Sequence, residues 1–321
     1  MSILVTGAAG FIGSHVCKTL LGRGEQVIAI DNLSSYYDVG LKNDRLARLA
    51  SNPGFSFFRG DIAEEATFAS LPRDEITHVI HLAAQAGVRY SIENPRAYVR
   101  SNVSGHLEVL EFCRRLSRLE HLVYSSSSSV YGNNKVPFSE DDVVDHPISI
   151  YAATKKSDEL LSYSYSHLFH LPQTGLRFFT VYGPWGRPDM AYWIFTKAII
   201  EGTPIRVFNN GDMWRDFTYV DDIVGGVLAV LDRPPGSAES FHRLYNIGNN
   251  RPEHLGKMIG TLEALIGTEA IKVFEDIQPG DLQSTCADIT KISRDTGFVP
   301  KFSLEDGLER FVSWYRSYYG V

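Results

Sequence analysis

Ser2-Ile3-Leu4-Val5-Thr6-Gly7-Ala8-Ala9-Gly10-Phe11-Ile12-Gly13 is the stretch on which the fold turns. Ser2–Thr6 is a short apolar run, which predicts a strand buried on both faces. Phe11–Leu21 then carries apolar residues at helical spacing. Between strand and helix stand glycines in the order G-x-x-G-x-x-G. They permit a tight turn and a close backbone approach to a pyrophosphate seated on the helix N-terminus. A second strand, Gln26–Ile30, closes on Asp31. A carboxylate there is placed to accept hydrogen bonds from an adenosine ribose and to repel a 2′-phosphate. The pattern predicts a dinucleotide site that prefers NAD to NADP.

The alternation continues outward from this unit. Asp44–Ala50 reads as a helix, and Phe55–Arg59 as a strand ending at Gly60-Asp61-Ile62, with Asp61 placed to meet the adenine edge. Val79–Leu82 is a strand closing in Ala83-Ala84, small residues that let the chain pass close beside a cofactor. Ala97–Leu116 reads as one long helix, His121–Tyr124 as a strand, Tyr151–Leu168 as a helix and Thr174–Phe178 as a strand. Strands separated by helices predict an α/β fold, a mostly parallel sheet covered on both faces.

Beyond Phe179 prolines, glycines and aromatics become denser, and no Pro/Ser-rich linker intervenes. The expected organisation is a cofactor domain over residues 1–179, with segments of about 205–245 returning to it. Residues 180–321 then form mostly a smaller, intertwined lobe. Asp221–Leu231 and Pro252–Leu265 read as helices, and Leu304–Tyr315 as the C-terminal helix with Ser303 as its N-cap.

Composition narrows the functional classes. With 44% hydrophobic and 21% charged residues the chain has the make-up of a soluble globular protein. A net charge of −7 gives no support for nucleic-acid or anionic-membrane binding. Cys17, Cys113 and Cys286 are scattered without metal-ligand spacing, so reduced thiols and no metal are expected. The first strand starts directly after Met1, and no apolar run approaches the roughly 20 residues of a membrane span. A cytoplasmic protein without a leader is expected.

The chemistry lies in Ser125–Lys155, which runs YSSSSSVYG before a polar loop and YAATK. Tyr151 and Lys155 are four residues apart, one turn on a single helix face. An ammonium beside a phenol favours the phenolate, and a serine hydroxyl near it completes a proton-transfer site. Tyr-x-x-x-Lys is common by chance, so its meaning depends on context.

Taken together, the glycine triplet, Asp31, the serine run before Val130-Tyr131-Gly132 and Tyr151-x-x-x-Lys155 resemble an extended short-chain dehydrogenase/reductase. The motifs fall in order over essentially the whole chain. The resemblance implies a Rossmann-type doubly wound parallel sheet with a smaller C-terminal substrate-binding lobe. Within that family the chain looks like an NAD-dependent nucleotide-sugar epimerase. Sugar 4,6-dehydratases carry Asp-Glu after the catalytic Thr, and UDP-glucuronate decarboxylases usually carry Ser-Glu. Here Ser127 is followed by Ser128 and Ser129, which disfavours both. The run Arg177–Met190, RFFTVYGPWGRPDM, is similar to UDP-glucuronate 4-epimerases. A UDP-hexose 4-epimerase and a UDP-glucuronate decarboxylase remain alternatives, and a non-catalytic NAD-binding regulator is the alternative from another class.

The resemblance also implies roles. Tyr151 is the base at the sugar 4-hydroxyl, Lys155 holds the nicotinamide ribose, and Ser127 shares the bond to the 4-oxygen. A 4-keto sugar forms, turns about its pyrophosphate link and is reduced on its other face by the same tightly bound NAD. The cofactor contacts fall on Gly7, Gly10, Phe11, Ile12 and Gly13, on Asp31 and Asn32, on Asp61 and Ile62, and on Leu82, Ala83 and Ala84. Ser128, Thr180 and Arg187 are candidates for the uronate carboxylate, with Met190 beside them. Arg187 also reads as a pyrophosphate ligand or a solvated loop arginine. Arg215 matches a pyrophosphate position, a salt bridge to Asp212 or Asp216 being its plain alternative. Asp281 resembles the carboxylate that binds the uridine ribose, Val207 and Phe208 read as lining a uracil pocket or as plain strand core, and Arg89 touches sugar or phosphates.

Relatives dimerise by packing the helices of 97–116 and 151–168 into a four-helix bundle, so a homodimer is expected, with Leu107, Leu110, Tyr163 and Tyr165 compatible. The cluster Tyr163, Tyr165 and Phe169 reads as core or interface packing. His167, His170 and His242 read as lone histidines, and Glu140-Asp141-Asp142 as a solvated loop face.

Overall fold

Ile3, Leu4 and Val5 are fully buried in strand β1 (Ser2–Thr6), as an apolar run between two parallel neighbours must be. In this computed structural model residues 1–236, 240–278 and 280–321 are described, and Pro279 of the Pro279-Gly280-Asp281 segment lies outside them. The further strands are β2 (Gln26–Asp31), β3 (Phe55–Arg59), β4 (His78–His81), β5 (His121–Ser127), β6 (Gln173–Phe178) and β7 (Thr180–Tyr182). After them come β8 (Ile205–Phe208), β9 (Trp214–Tyr219), β10 (His242–Ile247), β11 (Pro252–His254) and β12 (Lys272–Glu275).

Among the described residues a seven-stranded sheet runs in the order β10-β6-β5-β4-β1-β2-β3. All its pairings are parallel. The chain steps outward from β1 through β2 to β3, then returns to place β4 on the other side of β1. The carboxyl ends of β1 and β4 therefore diverge at a topological switch point, where a ligand crevice opens. Strands β11-β9-β7 form a smaller sheet and β12-β8 another.

The first helices are α1 (Phe11–Gly22), α2 (Val39–Ala47), α3 (Tyr90–Glu93), α4 (Pro95–Tyr98) and α5 (Gly105–Cys113). They are followed by α6 (Ile150–Phe169), α7 (Ala191–Glu201), α8 (Val220–Leu231), α9 (Leu255–Ile266), α10 (Thr290–Thr296) and α11 (Leu304–Tyr319). Ser149 caps α6 by accepting from the Ala152 amide at 3.1 Å, and Ser303 caps α11 through the Asp306 amide at 3.1 Å.

Several expectations are adjusted. The helix foreseen at Asp44–Ala50 starts earlier, because Asp38 accepts the Gly40 amide at 2.8 Å and opens α2 at Val39. Pro252–His254 is strand β11, paired to β9, and α9 begins only at Leu255. The long helix foreseen over Ala97–Leu116 is interrupted: Val99–Ser104 widens to π geometry between α4 and α5. The serines Ser125–Ser127 belong to β5, because Leu176, Arg177 and Phe178 of β6 continue the ladder beside them. Within 205–245 the segments divide. Residues 205–219 supply β8 and β9 of the small sheets, α8 packs on α1 and β5, and β10 joins the main sheet beside β6. No helix among the described residues is long and apolar enough to cross a membrane.

Candidate active site

A cleft of about 1000 Å³ follows the switch point from the glycine loop to the small sheets. At its cofactor end Gly7 turns with φ +72° and donates to the Ile30 carbonyl at 2.8 Å. A Cβ there would lie 2.7 Å from the Ala83 amide nitrogen, so only glycine lets β1 and the tail of β4 come this close. Gly13 has the tighter constraint, since a Cβ would meet the Gly7 carbonyl at 2.0 Å. The N-cap of α1 is Gly10, with no side-chain cap, which leaves the first amides of the helix facing the cleft. Phe11, Ile12, Asn32, Ile62, Leu82 and Ala84 line the same end.

Asp31 ends β2 with both oxygens directed: one accepts the Ala9 amide at 3.0 Å and the other the Leu33 amide at 2.8 Å. Burial raises its carboxyl pKa, with those amides and Lys42 opposing. Asp61 accepts from the Ala63 amide and from Arg100 at 2.6 Å; burial works to raise its pKa but these partners outweigh it and hold it low. The uncapped helix, the glycine cradle and the acid closing β2 fit a dinucleotide pyrophosphate and its adenosine ribose.

The middle of the cleft carries Ser127, Ser128, Tyr151 and Lys155. Ser127 accepts the Ser129 amide at 3.1 Å, and Lys155 reaches back to the Ser125 carbonyl at 2.7 Å. Beneath the serines Ser126 donates to Glu159 at 2.7 Å, and Glu159 takes two bonds from Arg177 at 2.8 and 3.0 Å. Arg177 goes on to the Tyr131 hydroxyl at 2.9 Å. All four are buried, so a charged, fully paired frame fixes β5 against α6. Tyr151 meets the edge of the Tyr98 ring at 6.0 Å, and Tyr98 donates to the Ala86 and Gly87 carbonyls.

Arg89, Thr180, Arg187, Met190, Arg215 and Asp281 also line the cleft. Arg187 donates to both oxygens of Asp189, at 3.0 and 2.5 Å. Burial works against its charge, but Asp189 outweighs that and raises its pKa. Arg89 reaches Asp281 at 2.9 Å and lies 4.5 Å over the Phe208 ring. Arg215 donates to the Trp214 and Gln283 carbonyls, and its charged end stands 4.0 Å from Asp281. Its bridge is therefore to neither Asp212 nor Asp216. Asp216 is buried and fully used by the amides of Asn249, Asn250 and Ala287.

This geometry can be set beside known proteins. A family model described as the NAD dependent epimerase/dehydratase family matches residues 3–248. The chain belongs to the NAD dependent epimerase/dehydratase family. It is 46% identical to UDP-glucuronate 4-epimerase 1 of Arabidopsis thaliana, over 100% of this chain and 78% of that protein. It is 48% identical to protein CapI of Staphylococcus aureus, over 99% of each. Among solved structures it resembles UDP-glucuronic acid 4-epimerase from Bacillus cereus in complex with UDP-glucuronic acid and NAD. The identity is 37%, the TM-score 0.91, and the match covers 99% of this chain and 100% of that one.

In this member of the epimerase/dehydratase family the structure corrects four readings. Val207 is 1% exposed and packs in the core, while Ile205, Arg206 and Phe208 of the same strand line the cleft. Leu110 is fully buried and cannot meet a second copy, unlike Leu107. His242 is not lone: its Nε2 sits 2.8 Å from the Tyr124 hydroxyl. Glu140 accepts the Asn246 amide at 2.7 Å instead of facing solvent.

Three residues escaped the sequence reading. Lys42 lines the cleft and donates to the Ser34 carbonyl at 2.7 Å. Arg45, fully buried, donates to the carbonyls of Ala9, Trp185 and Gly186, tying the glycine loop to the loop of Arg187. Asn102, in the π turn, accepts the Gln85 amide at 2.8 Å and donates to Thr154 at 2.9 Å. An asparagine amid a helical pattern was the available signal for the last, since that residue type favours side-chain bonding to backbone. Lys42 and Arg45 gave none.

Proposed function

We propose that this protein is an NAD-dependent 4-epimerase that interconverts UDP-glucuronate and UDP-galacturonate. The observation that carries the reading is the meeting in one cleft of Ser127, Tyr151 and Lys155 with Thr180 and Arg187, with no carboxylate following Ser127. The carboxylates on the cleft wall are Asp31, Asp61, Glu93, Asp189 and Asp281. Asp31 ends β2 and Asp61 follows β3, both on the cofactor side, and the last two are paired with arginines.

NAD⁺, when bound, accepts the hydride from the sugar C4 and returns it. Gly7, Gly10, Gly13, Asp31 and Asp61 would hold its pyrophosphate and adenosine, with Asn32 and Leu82–Ala84 alongside, and Lys155 its nicotinamide ribose. Tyr151 as phenolate takes the proton of the sugar 4-hydroxyl, and Ser127 donates to the same oxygen as it becomes a ketone. Arg89, Arg215 and Asp281 hold the nucleotide end while the keto sugar turns over between them. Tyr151 then returns its proton to the oxygen on the opposite face. The keto uronate is a β-keto acid, which loses CO₂ when its carboxylate stands perpendicular to the carbonyl. Ser128, Thr180 and Arg187 keep the carboxylate out of that geometry, with Met190 closing the pocket.

Residues 1–179, with the returning segments from 205–245, are the part we assign to the cofactor, and most of 180–321 to the UDP-sugar. A homodimer is proposed through the outer face of α6, where Leu160 and Tyr163 are each 58% exposed beside Leu107. The three cysteines are free, which suits the cytoplasm.

The test is incubation with UDP-glucuronate without added NAD, the products followed by nuclear magnetic resonance. UDP-galacturonate is expected. A UDP-pentose with CO₂, or turnover of UDP-glucose alone, would overturn the reading, as would full activity in Tyr151→Phe.

A further inference from the structure

Lys155 is 2% exposed and has a second partner besides Ser125: Asp158, one turn further along α6, accepts from its ammonium at 3.1 Å. Asp158 is itself fully buried, and its other carboxylate oxygen has no partner among the described residues. A buried carboxylate with half its hydrogen-bonding capacity unused is costly. It is tolerated here next to the ammonium expected to act on Tyr151.

We propose that Asp158 is a positioning residue for Lys155, a buried counter-ion that fixes the ammonium and limits how strongly its charge favours the Tyr151 phenolate. The inference rests on the epimerase reading for Tyr151 and Lys155 and goes beyond it by adding a third charge to their couple.

The surroundings leave Asp158 to act alone. His106 on α5 is buried, with Nε2 bonded to Ser162 at 2.8 Å, and burial holds it neutral. His81 on β4 is likewise held neutral by burial, its pKa pushed down to about 3. Tyr124 on β5 is raised by burial and stays protonated. Glu159 is taken up by Arg177, which outweighs burial and keeps it ionised. Burial, opposed by Lys155, lifts the Asp158 carboxyl to about 7.

The direction follows from Coulomb's law. An anion beside Lys155 offsets the ammonium, so removing that charge lets the phenolate form at lower pH. Seven residues of helix separate Asp158 from Tyr151 by roughly 10 Å. At an effective dielectric near 20 one charge at that distance is worth a shift on the order of one pH unit.

The experiment uses the NAD-loaded protein and its Asp158→Asn variant, with Asp158→Ser as a smaller neutral replacement should the first not fold. The readout is the ultraviolet difference between each protein and its Tyr151→Phe counterpart, which isolates the Tyr151 phenolate and does not depend on turnover. Loss of the Asp158 charge is expected to move the phenolate titration down by about one unit and to sharpen it to a single-proton curve. The acid limb of kcat should follow, with KM unchanged within about twofold. A titration that coincides with the parent's, or moves up, overturns the proposal and leaves a purely structural ion pair. If the phenolate moves but UDP-glucuronate is not epimerised, the functional reading fails and the inference stands.

Discussion

Replacing Gly13 with alanine adds one methyl group where the structure has no room for it. The new Cβ would lie 2.0 Å from the Gly7 carbonyl oxygen and 2.8 Å from its carbon. Carbon and oxygen in close contact stand roughly 3.3 Å apart, so the loop must yield by roughly 1.3 Å. Gly7 has little freedom to retreat, since its amide is held by the Ile30 carbonyl at 2.8 Å and its φ of +72° is set by the turn. The start of α1 must move instead, carrying the amides that would receive the pyrophosphate. Misplacement by about 1 Å costs on the order of a hundredfold in a positioned interaction, or about 2.7 kcal/mol. Calorimetric titration of NAD into stripped protein reads this directly, and a thermal melt checks the fold. Gly22→Ala is the matched control, being in the same helix with nothing within 4 Å of its Cβ position. It should bind NAD as the parent does. If Gly13→Ala also binds NAD within about threefold of the parent, the cradle does not work as described.

Arg45→Met strips the carbonyls of Ala9, Trp185 and Gly186, two of them buried, of their donor and should cost about 3–5 kcal/mol in urea unfolding. An unchanged midpoint would show that the Arg45 strut is idle. Burial pushes His15 and His121 down to about 4, below the ordinary 6.5. Folding therefore favours their neutral forms, and the stability they contribute is present above pH 6.5 and lost as pH falls toward 4. The loss is at most about 3 kcal/mol each, partly offset by the raised Asp158, so urea midpoints should drop across that window. A flat profile would contradict the buried neutral rings. Leu160→Glu with Tyr163→Glu should yield a folded monomer by sedimentation if α6 forms the dimer face; a persistent dimer would exclude that face.

Much of the site was readable because its physics is local. A left-handed turn at Gly7, an acid at the end of the second strand and two side chains one helical turn apart all depend on residues near one another in the chain. The unread parts depend on a distant partner. Val207 and Phe208 stayed open between pocket and core because the sequence does not show what covers each side of a short strand; β12 and the core decide that. Leu110 looked like an interface residue for the same reason, one apolar helix face being indistinguishable from another until the sheet covers it. Arg45 gave no sign at all, because its acceptors lie 36, 140 and 141 residues away.

The sequence alone determined the alternation of strands and helices, the dinucleotide turn and the Tyr151/Lys155 pair, since backbone sterics and helical periodicity act over a few residues. Only the tertiary structure decided what stands behind that pair. Asp158 could have been any polar residue on an exposed turn of α6. It is a counter-ion because α5 and β5 close over it and take the water away, so that a charge 3.1 Å from Lys155 has nowhere else to be neutralised.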